Sequence, residues 1–148
     1  MADGNAGTPN KGQASSNGDD SGGVKKVWAD PYSELPFRSD KYAGNCQEMH
    51  LGGRRLTGLR EFKQFRSMGV LWINDNVLTS FAGLESNFRL KEIYAHNNKM
   101  VTLAEDCLAH MTFLGKLTLS GNKLDDLENV IEELRPMQHL TTLDLFDN

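Results

Sequence analysis

Leu114-Gly-Lys-Leu-Thr-Leu-Ser-Gly-Asn-Lys-Leu124 carries leucine at its first, fourth, sixth and eleventh positions and asparagine at its ninth. The same frame starts again at Cys46, Met68, Leu90 and Leu140, so successive starts lie 22, 22, 24 and 26 residues apart. Its apolar set is Cys46, Met49, Leu51 and Leu56; Met68, Leu71, Ile73 and Leu78; Leu90, Ile93, Ala95 and Met100; Leu114, Leu117, Leu119 and Leu124; and Leu140, Leu143 and Leu145. All nineteen are apolar in a chain that is 39% apolar, an agreement too good for coincidence. The ninth position reads Arg54, Asn76, Asn98, Asn122 and Asn148. An asparagine at this spacing has no use in an amphipathic helix. Stacked one above another, such side chains can both donate to and accept from the backbone of adjacent turns, so Asn76, Asn98, Asn122 and Asn148 are expected to form a structural ladder. Arg54 interrupts it, and the first unit is expected to be irregular.

A period of this length means that each unit is one strand, one turn and one return arm, and that no unit can bury its apolar face alone. The fold class expected is α/β: a repeat solenoid with parallel strands on the concave face and 3₁₀ or α return arms on the convex face. The arms carry Leu59, Phe62 and Phe65; Phe81 and Leu84; Leu103, Cys107, Leu108 and Met111; and Leu127, Val130, Ile131, Leu134 and Met137. Spacing near three in the first two suits tight or 3₁₀ turns. The stretch Asp125 to Arg135 has i, i+3, i+4, i+7 periodicity and predicts an α-helix, capped by Asp125 or Asp126 and ended near Pro136.

Side-chain alternation in the strands points the fourth and sixth positions inward and the third, fifth and seventh outward. The fifth-position column is His50, Trp72, Tyr94, Thr118 and Asp144; the seventh is Gly52, Asn74, His96, Ser120 and Phe146. Aromatic side chains give large contact area for little lost rotamer freedom. Trp72, Tyr94, His96 and Phe146 are therefore the leading partner-binding candidates, with His50, Asn74 and Asp144 beside them. The bland alternative is that these rings merely stack along the sheet.

The 148 residues bound a single domain. A net charge of -4 and a pI near 5.5 argue against a general nucleic-acid binder. Residues 46–67 hold five basic and two acidic side chains, whereas residues 114–139 hold three and five, a +3 to -2 gradient along the stack. Two cysteines in core-like places, Cys46 and Cys107, read as buried free thiols. The first residues lack a signal segment, no apolar run suits a bilayer and no glycosylation sequon occurs, so a soluble cytoplasmic protein is expected, with the nucleus left open.

Residues 1–23 are polar and glycine-rich, and predict a disordered tail in which Ser15, Ser16 and Ser21 are candidate phosphorylation sites. Residues 24–45 bring Val27, Trp28, Tyr32, Leu35, Phe37 and Tyr42 among two prolines. They read as an extended, irregular capping segment over the open end of the stack, the rival being a linear partner motif anchored on Trp28. Residues 46–148 form five repeats. The fifth ends at its ladder asparagine, so it is expected to be incomplete and uncapped, to fray or self-associate, and to mark a fragment.

Catalytic chemistry is not legible. His50 and His96 are separated by two units, about 10 Å, too far to ligate one ion unaided, although Asp75 and Glu92 are near. No phosphate-binding glycine loop or nucleophile elbow is present. No enzyme activity, cofactor, metal or small-molecule substrate is expected. Arg54-Arg55-Leu56-Thr57 has the form of a basophilic-kinase site, but Leu56 is a core position.

From Cys46 to Asn148 the chain resembles the leucine-rich repeat proteins of the intracellular 22-residue class, typified by a protein-phosphatase regulator, the spliceosomal A-prime protein and the leucine-rich light chain of axonemal outer-arm dynein. The resemblance implies a non-catalytic scaffold that binds another protein on its concave face, in cilia or axonemes, phosphatase complexes or ribonucleoproteins.

Overall fold

The computed structural model describes residues 23, 25–103 and 107–148, apart from the side chain of Cys107. The expected tail and its three serines lie outside the described residues, Gly23 excepted. Five three-residue strands, β1 (Glu48–His50), β2 (Val70–Trp72), β3 (Glu92–Tyr94), β4 (Lys116–Thr118) and β5 (Thr142–Asp144), form one parallel sheet in sequence order. The register is that of the frame: Met49 pairs with Leu71, Leu71 with Ile93, Ile93 with Leu117 and Leu117 with Leu143. Repeats of near-equal length place each strand at the same offset from its neighbour. The ladder also runs on beyond the strands, for example from Leu51 N to Trp72 O (2.7 Å) and from Asp75 N to His96 O (3.0 Å).

All the inward positions of the second to fourth units are buried. Cys46 departs from expectation: it is only half-buried, and its free thiol donates to Glu48 O at 3.2 Å. The strand it precedes leads the sheet, so no earlier unit covers it. Burial still pushes the Cys46 thiol above its usual pKa.

Asn98 shows how the ladder works. Its Oδ1 accepts from Leu78 N (3.0 Å), while its Nδ2 donates to Ile73 O and Ala95 O, both at 3.0 Å. Asn76, Asn122 and Asn148 repeat the pattern against Leu56, Met100 and Leu124. Arg54 instead donates through its guanidinium to His50 O (3.0 Å) and pairs with Glu34 at 2.7 Å. One place earlier, Gly53, Asp75, Asn97, Gly121 and Asp147 all turn the chain with φ of 69°, 56°, 56°, 65° and 55°. This left-handed region is one that glycine, asparagine and aspartate tolerate best.

The return arms follow their spacing. Tight turns close from Phe65 N to Phe62 O (2.9 Å) and from Asn87 N to Leu84 O (2.9 Å), the third arm holds a 3₁₀ helix at Cys107–His110, and the fourth is α2 (Leu127–Leu134). Asp126 caps α2 by accepting from Asn129 N at 3.0 Å. Val130, Leu134 and Met137 are buried, but Leu127 and Ile131 are 60% and 52% exposed, against the expectation that the whole apolar set packs inward. These two lie one step round the helix from the buried stripe, and α2 packs on the 3₁₀ helix of the third arm.

Residues 25–45 run beside the first unit rather than free of it. Thr57 N donates to Val27 O (2.8 Å) and Ala29 N to Gly58 O (3.0 Å), with Ala29, Pro31 and Ala43 buried. The expected extended course is corrected by two short helices. A 3₁₀ turn spans Pro31–Glu34 behind the Asp30 cap, and α1 spans Asp40–Asn45 behind the Ser39 cap. A capping side chain followed by a pre-set proline φ favours helix entry over extended chain. Tyr32 meets Phe65 edge-on at 5.1 Å, whereas Phe37 and Tyr42 are exposed and touch each other.

Candidate functional site: the concave face

In-register pairing brings His50 beside Trp72 and Trp72 beside Tyr94. The rings form one continuous stack. His50 lies on the indole at 3.9 Å and 13°, and the indole lies on the Tyr94 ring at 5.0 Å and 1°. Lys116 Nζ closes the far end, 4.8 Å from the Tyr94 centroid, and the Tyr94 hydroxyl donates to Glu92 Oε2 at 2.6 Å. Both indole faces are thus covered by the protein's own side chains. What the column offers outward is ring edges held in a fixed plane.

Next to the stack lies a polar patch. His96 Nδ1 is 3.2 Å from Thr118 Oγ1, a residue buried in the fifth-position column. Asp75 accepts from Asn74 Nδ2 at 2.5 Å and from Asn97 Nδ2 at 2.8 Å. Those two hydrogen bonds, the Asn97 one first, hold the Asp75 carboxyl below its usual pKa, with a smaller pull from His96. Asp144 is lowered in the same sense by the Phe146 N–H (3.1 Å) and then by the Ser120 hydroxyl. The structure therefore gathers His50, Trp72 and Tyr94 into one group and places Asn74, His96 and Asp144 in a second. Phe146 stands apart, 80% exposed and without a ring partner among the described residues. Glu92 is taken up by Tyr94. Among the described residues no group of three or more His, Cys, Asp or Glu is placed to hold a metal ion.

Two contributors escaped the sequence reading. Lys116 is a third-position residue to which spacing assigns no role, and of the eighth-position residues that build the polar patch the sequence marks Asp75 only as a neighbour of His50 and His96, and Asn97 not at all. The restriction of the eighth position to Gly, Asp and Asn was the available signal.

No family model matches the chain. Among solved structures it is similar to an internalin of Listeria monocytogenes, at 17% identity over 71% of this chain and 36% of that one, with a TM-score of 0.58. It is also similar to a chain of the Drosophila melanogaster SNF/U2A′ complex, at 22% identity over 73% and 67% of the two chains, TM-score 0.61. A Leptospira interrogans leucine-rich repeat protein matches at 18% identity over 66% and 25%, TM-score 0.55. The chain thus spans about a third of the internalin and a quarter of the Leptospira protein. The fold these structures define is the α/β leucine-rich repeat solenoid. Among the described residues no helix is long and apolar enough to cross a membrane.

Proposed function

We propose that the chain is a non-catalytic scaffold whose concave face binds another protein, with Trp72, Tyr94, His96 and Phe146 carrying the contact and His50, Asn74 and Asp144 flanking them. The observation that carries this reading is the closed His50–Trp72–Tyr94–Lys116 column. A nucleic-acid base needs a free ring face to stack on, and here the indole has none. A protein side chain needs only a rigid apolar edge, which loses little entropy on contact. Residues 24–45 serve in this reading as the cap of the first repeat, and residues 46–148 as the binding body.

The test is affinity purification of the full chain against the Trp72→Ala, Tyr94→Ala double variant, with circular dichroism to confirm folding. An unchanged set of recovered proteins would remove the concave face from the assignment.

The alternative is a ribonucleoprotein component, which the likeness to a chain of the SNF/U2A′ complex supports. Direct RNA contact would make binding fall steeply with added salt, whereas an aromatic-edged protein interface responds little. A regulatory subunit of an enzyme such as a phosphatase is the same scaffold with a catalytic partner, and the resemblance also brings cytoplasmic or axonemal assemblies into this proposal. The runs Phe62-Lys-Gln-Phe65, Leu71-Trp-Ile73, Leu90-Lys-Glu-Ile-Tyr94 and Asn129-Val-Ile-Glu-Glu-Leu-Arg-Pro-Met137 resemble, more narrowly, leucine-rich repeat-containing protein 72.

A further inference from the structure

The strands set out from an edge of the sheet that the concave-face reading does not use. The second frame position reads Gln47, Gly69, Lys91, Gly115 and Thr141, and the residue before each frame reads Asn45, Ser67, Arg89, Phe113 and His139. Neither Gly69 nor Gly115 has a left-handed φ. A Cβ added at Gly69 would lie 3.8 Å from Gln47 O, and one at Gly115 would lie 3.6 Å from His139 O, both ordinary contacts. The backbone requires glycine at neither place. What the missing side chains leave is space: a hollow of about 670 Å³ beside Gly69 and another of about 420 Å³ beside Gly115.

Phe113 and Lys91 wall both hollows. Phe113 is 53% exposed, its ring parallel to His139 within 8° at 6.3 Å. Arg89, in the first hollow, and Lys91 make no side-chain hydrogen bond or ion pair among the described residues. Lys116, whose ammonium lies over Tyr94, stands beside Lys91 in the second hollow. A large exposed ring between two hollows, flanked by unpaired cations, is matched by an apolar side chain with carboxylates on either side.

We propose that this edge of the sheet is a second docking surface, for an acidic protein segment that lays an apolar side chain against Phe113 and its carboxylates beside Arg89 and Lys91. A polynucleotide fits less well. Glu48 and Glu92 stand in the walls and would repel a continuous run of phosphates, while discrete carboxylates can lie between them.

The test is a titration of the isotope-labelled full chain, followed by backbone amide shifts, with the peptide Glu-Glu-Leu-Phe-Glu-Glu. The charge-reversed peptide Lys-Lys-Leu-Phe-Lys-Lys and an oligouridine of equal length serve as the other probes. Shifts centred on Gly69 and Gly115 with the acidic peptide alone are expected. Its affinity should fall roughly tenfold in the Arg89→Glu, Lys91→Glu variant. It should also fall in Gly115→Leu, which fills a hollow without straining the backbone, and hold in Trp72→Ala, which leaves this edge intact. Absence of shifts at these glycines, equal response to the basic peptide or the oligouridine, or unchanged affinity in the charge-reversed and filled variants would overturn the proposal.

Discussion

The indole of Trp72 and the phenol ring of Tyr94 lie parallel to within 1°, their centroids 5.0 Å apart, because β2 and β3 pair in the register that sets them side by side. His50 occupies the other indole face. Trp72→Ala opens both contacts, and aromatic pairs are worth about 0.5–1.5 kcal/mol each beyond their buried area. The variant is expected to lose roughly 1–3 kcal/mol in urea unfolding. A double-mutant cycle with Tyr94→Ala should show a coupling of about 1 kcal/mol. Strict additivity would mean that the stack is only an accident of register.

Asn98 and Asn148 make the same bonds in different surroundings: Asn98 is buried between two units, whereas Asn148 is exposed. Asn98→Ala strands the Leu78 N–H out of reach of water and takes one of two donors from the carbonyls of Ile73 and Ala95, which keep Asn76 and Asn122. An orphaned buried group costs about 1–3 kcal/mol, so a loss in that range is expected. Asn148→Ala should cost well under half of that, since water can replace the lost partners. Equal losses in denaturant midpoint would show that the ladder contributes through something other than buried hydrogen bonds.

The inward columns and the ladder were legible because both depend only on spacing, and one frame fixes the direction of every strand side chain. The eighth-position turn was equally legible in Gly53, Asp75, Asn97, Gly121 and Asp147, but is visible only once the frame is read for backbone conformation as well as for apolarity. Asp30-Pro31 and Ser39-Asp40 carried helix-start signals that the aromatic density of residues 24–45 obscured. The exposure of Leu127 and Ile131 was not legible, since periodicity marks an apolar face without saying which part of it meets a neighbour. Of the site, the columns could be written down from sequence. The ring planes, the Lys116 closure and the buried Thr118 could not, because rotamers answer to packing rather than to spacing.

Acid should act through Asp75 and Asp144. Hydrogen bonds from Asn97 and Asn74 depress the first, and those from the Phe146 N–H and Ser120 depress the second. A carboxyl whose folded pKa lies below its unfolded value of about 4 contributes stability that is fully present above that value. This stability is lost as the pH falls through the lower, folded value. The melting temperature is thus expected to be level through neutral pH and to decline below about pH 4. Asp75→Asn keeps a residue that tolerates φ of 56° while removing the charge. It should melt below the parent at neutral pH and converge on it in acid. Parallel melting curves at every pH would show that the Asp75 charge does not contribute.

Trp28 lies over Gly58 so closely that a Cβ there would stand 2.5 Å from its Cζ3 and 2.8 Å from its Cε3. Gly58 has no left-handed φ, so alanine is acceptable to the backbone and acts only by displacing the indole. The displaced ring would leave the cation contacts with Arg60 (5.6 Å) and Lys26 (5.9 Å) and pull on the neighbouring Ala29 N to Gly58 O bond. Overpacking of this kind costs about 1–3 kcal/mol. The strain falls on residues 25–45 rather than on the sheet. Gly58→Ala is therefore expected to speed tryptic cleavage after Arg38 and to shift Trp28 emission to longer wavelength in a Trp72→Phe background. In Trp28→Ala the clash has no ring to meet, so adding Gly58→Ala should cost nothing further. If Gly58→Ala leaves both cleavage and emission unchanged, the indole is not what fastens this segment to the first repeat, and the hydrogen bonds of Val27 and Ala29, the Tyr32–Phe65 contact and the Arg54–Glu34 pair hold it without the ring.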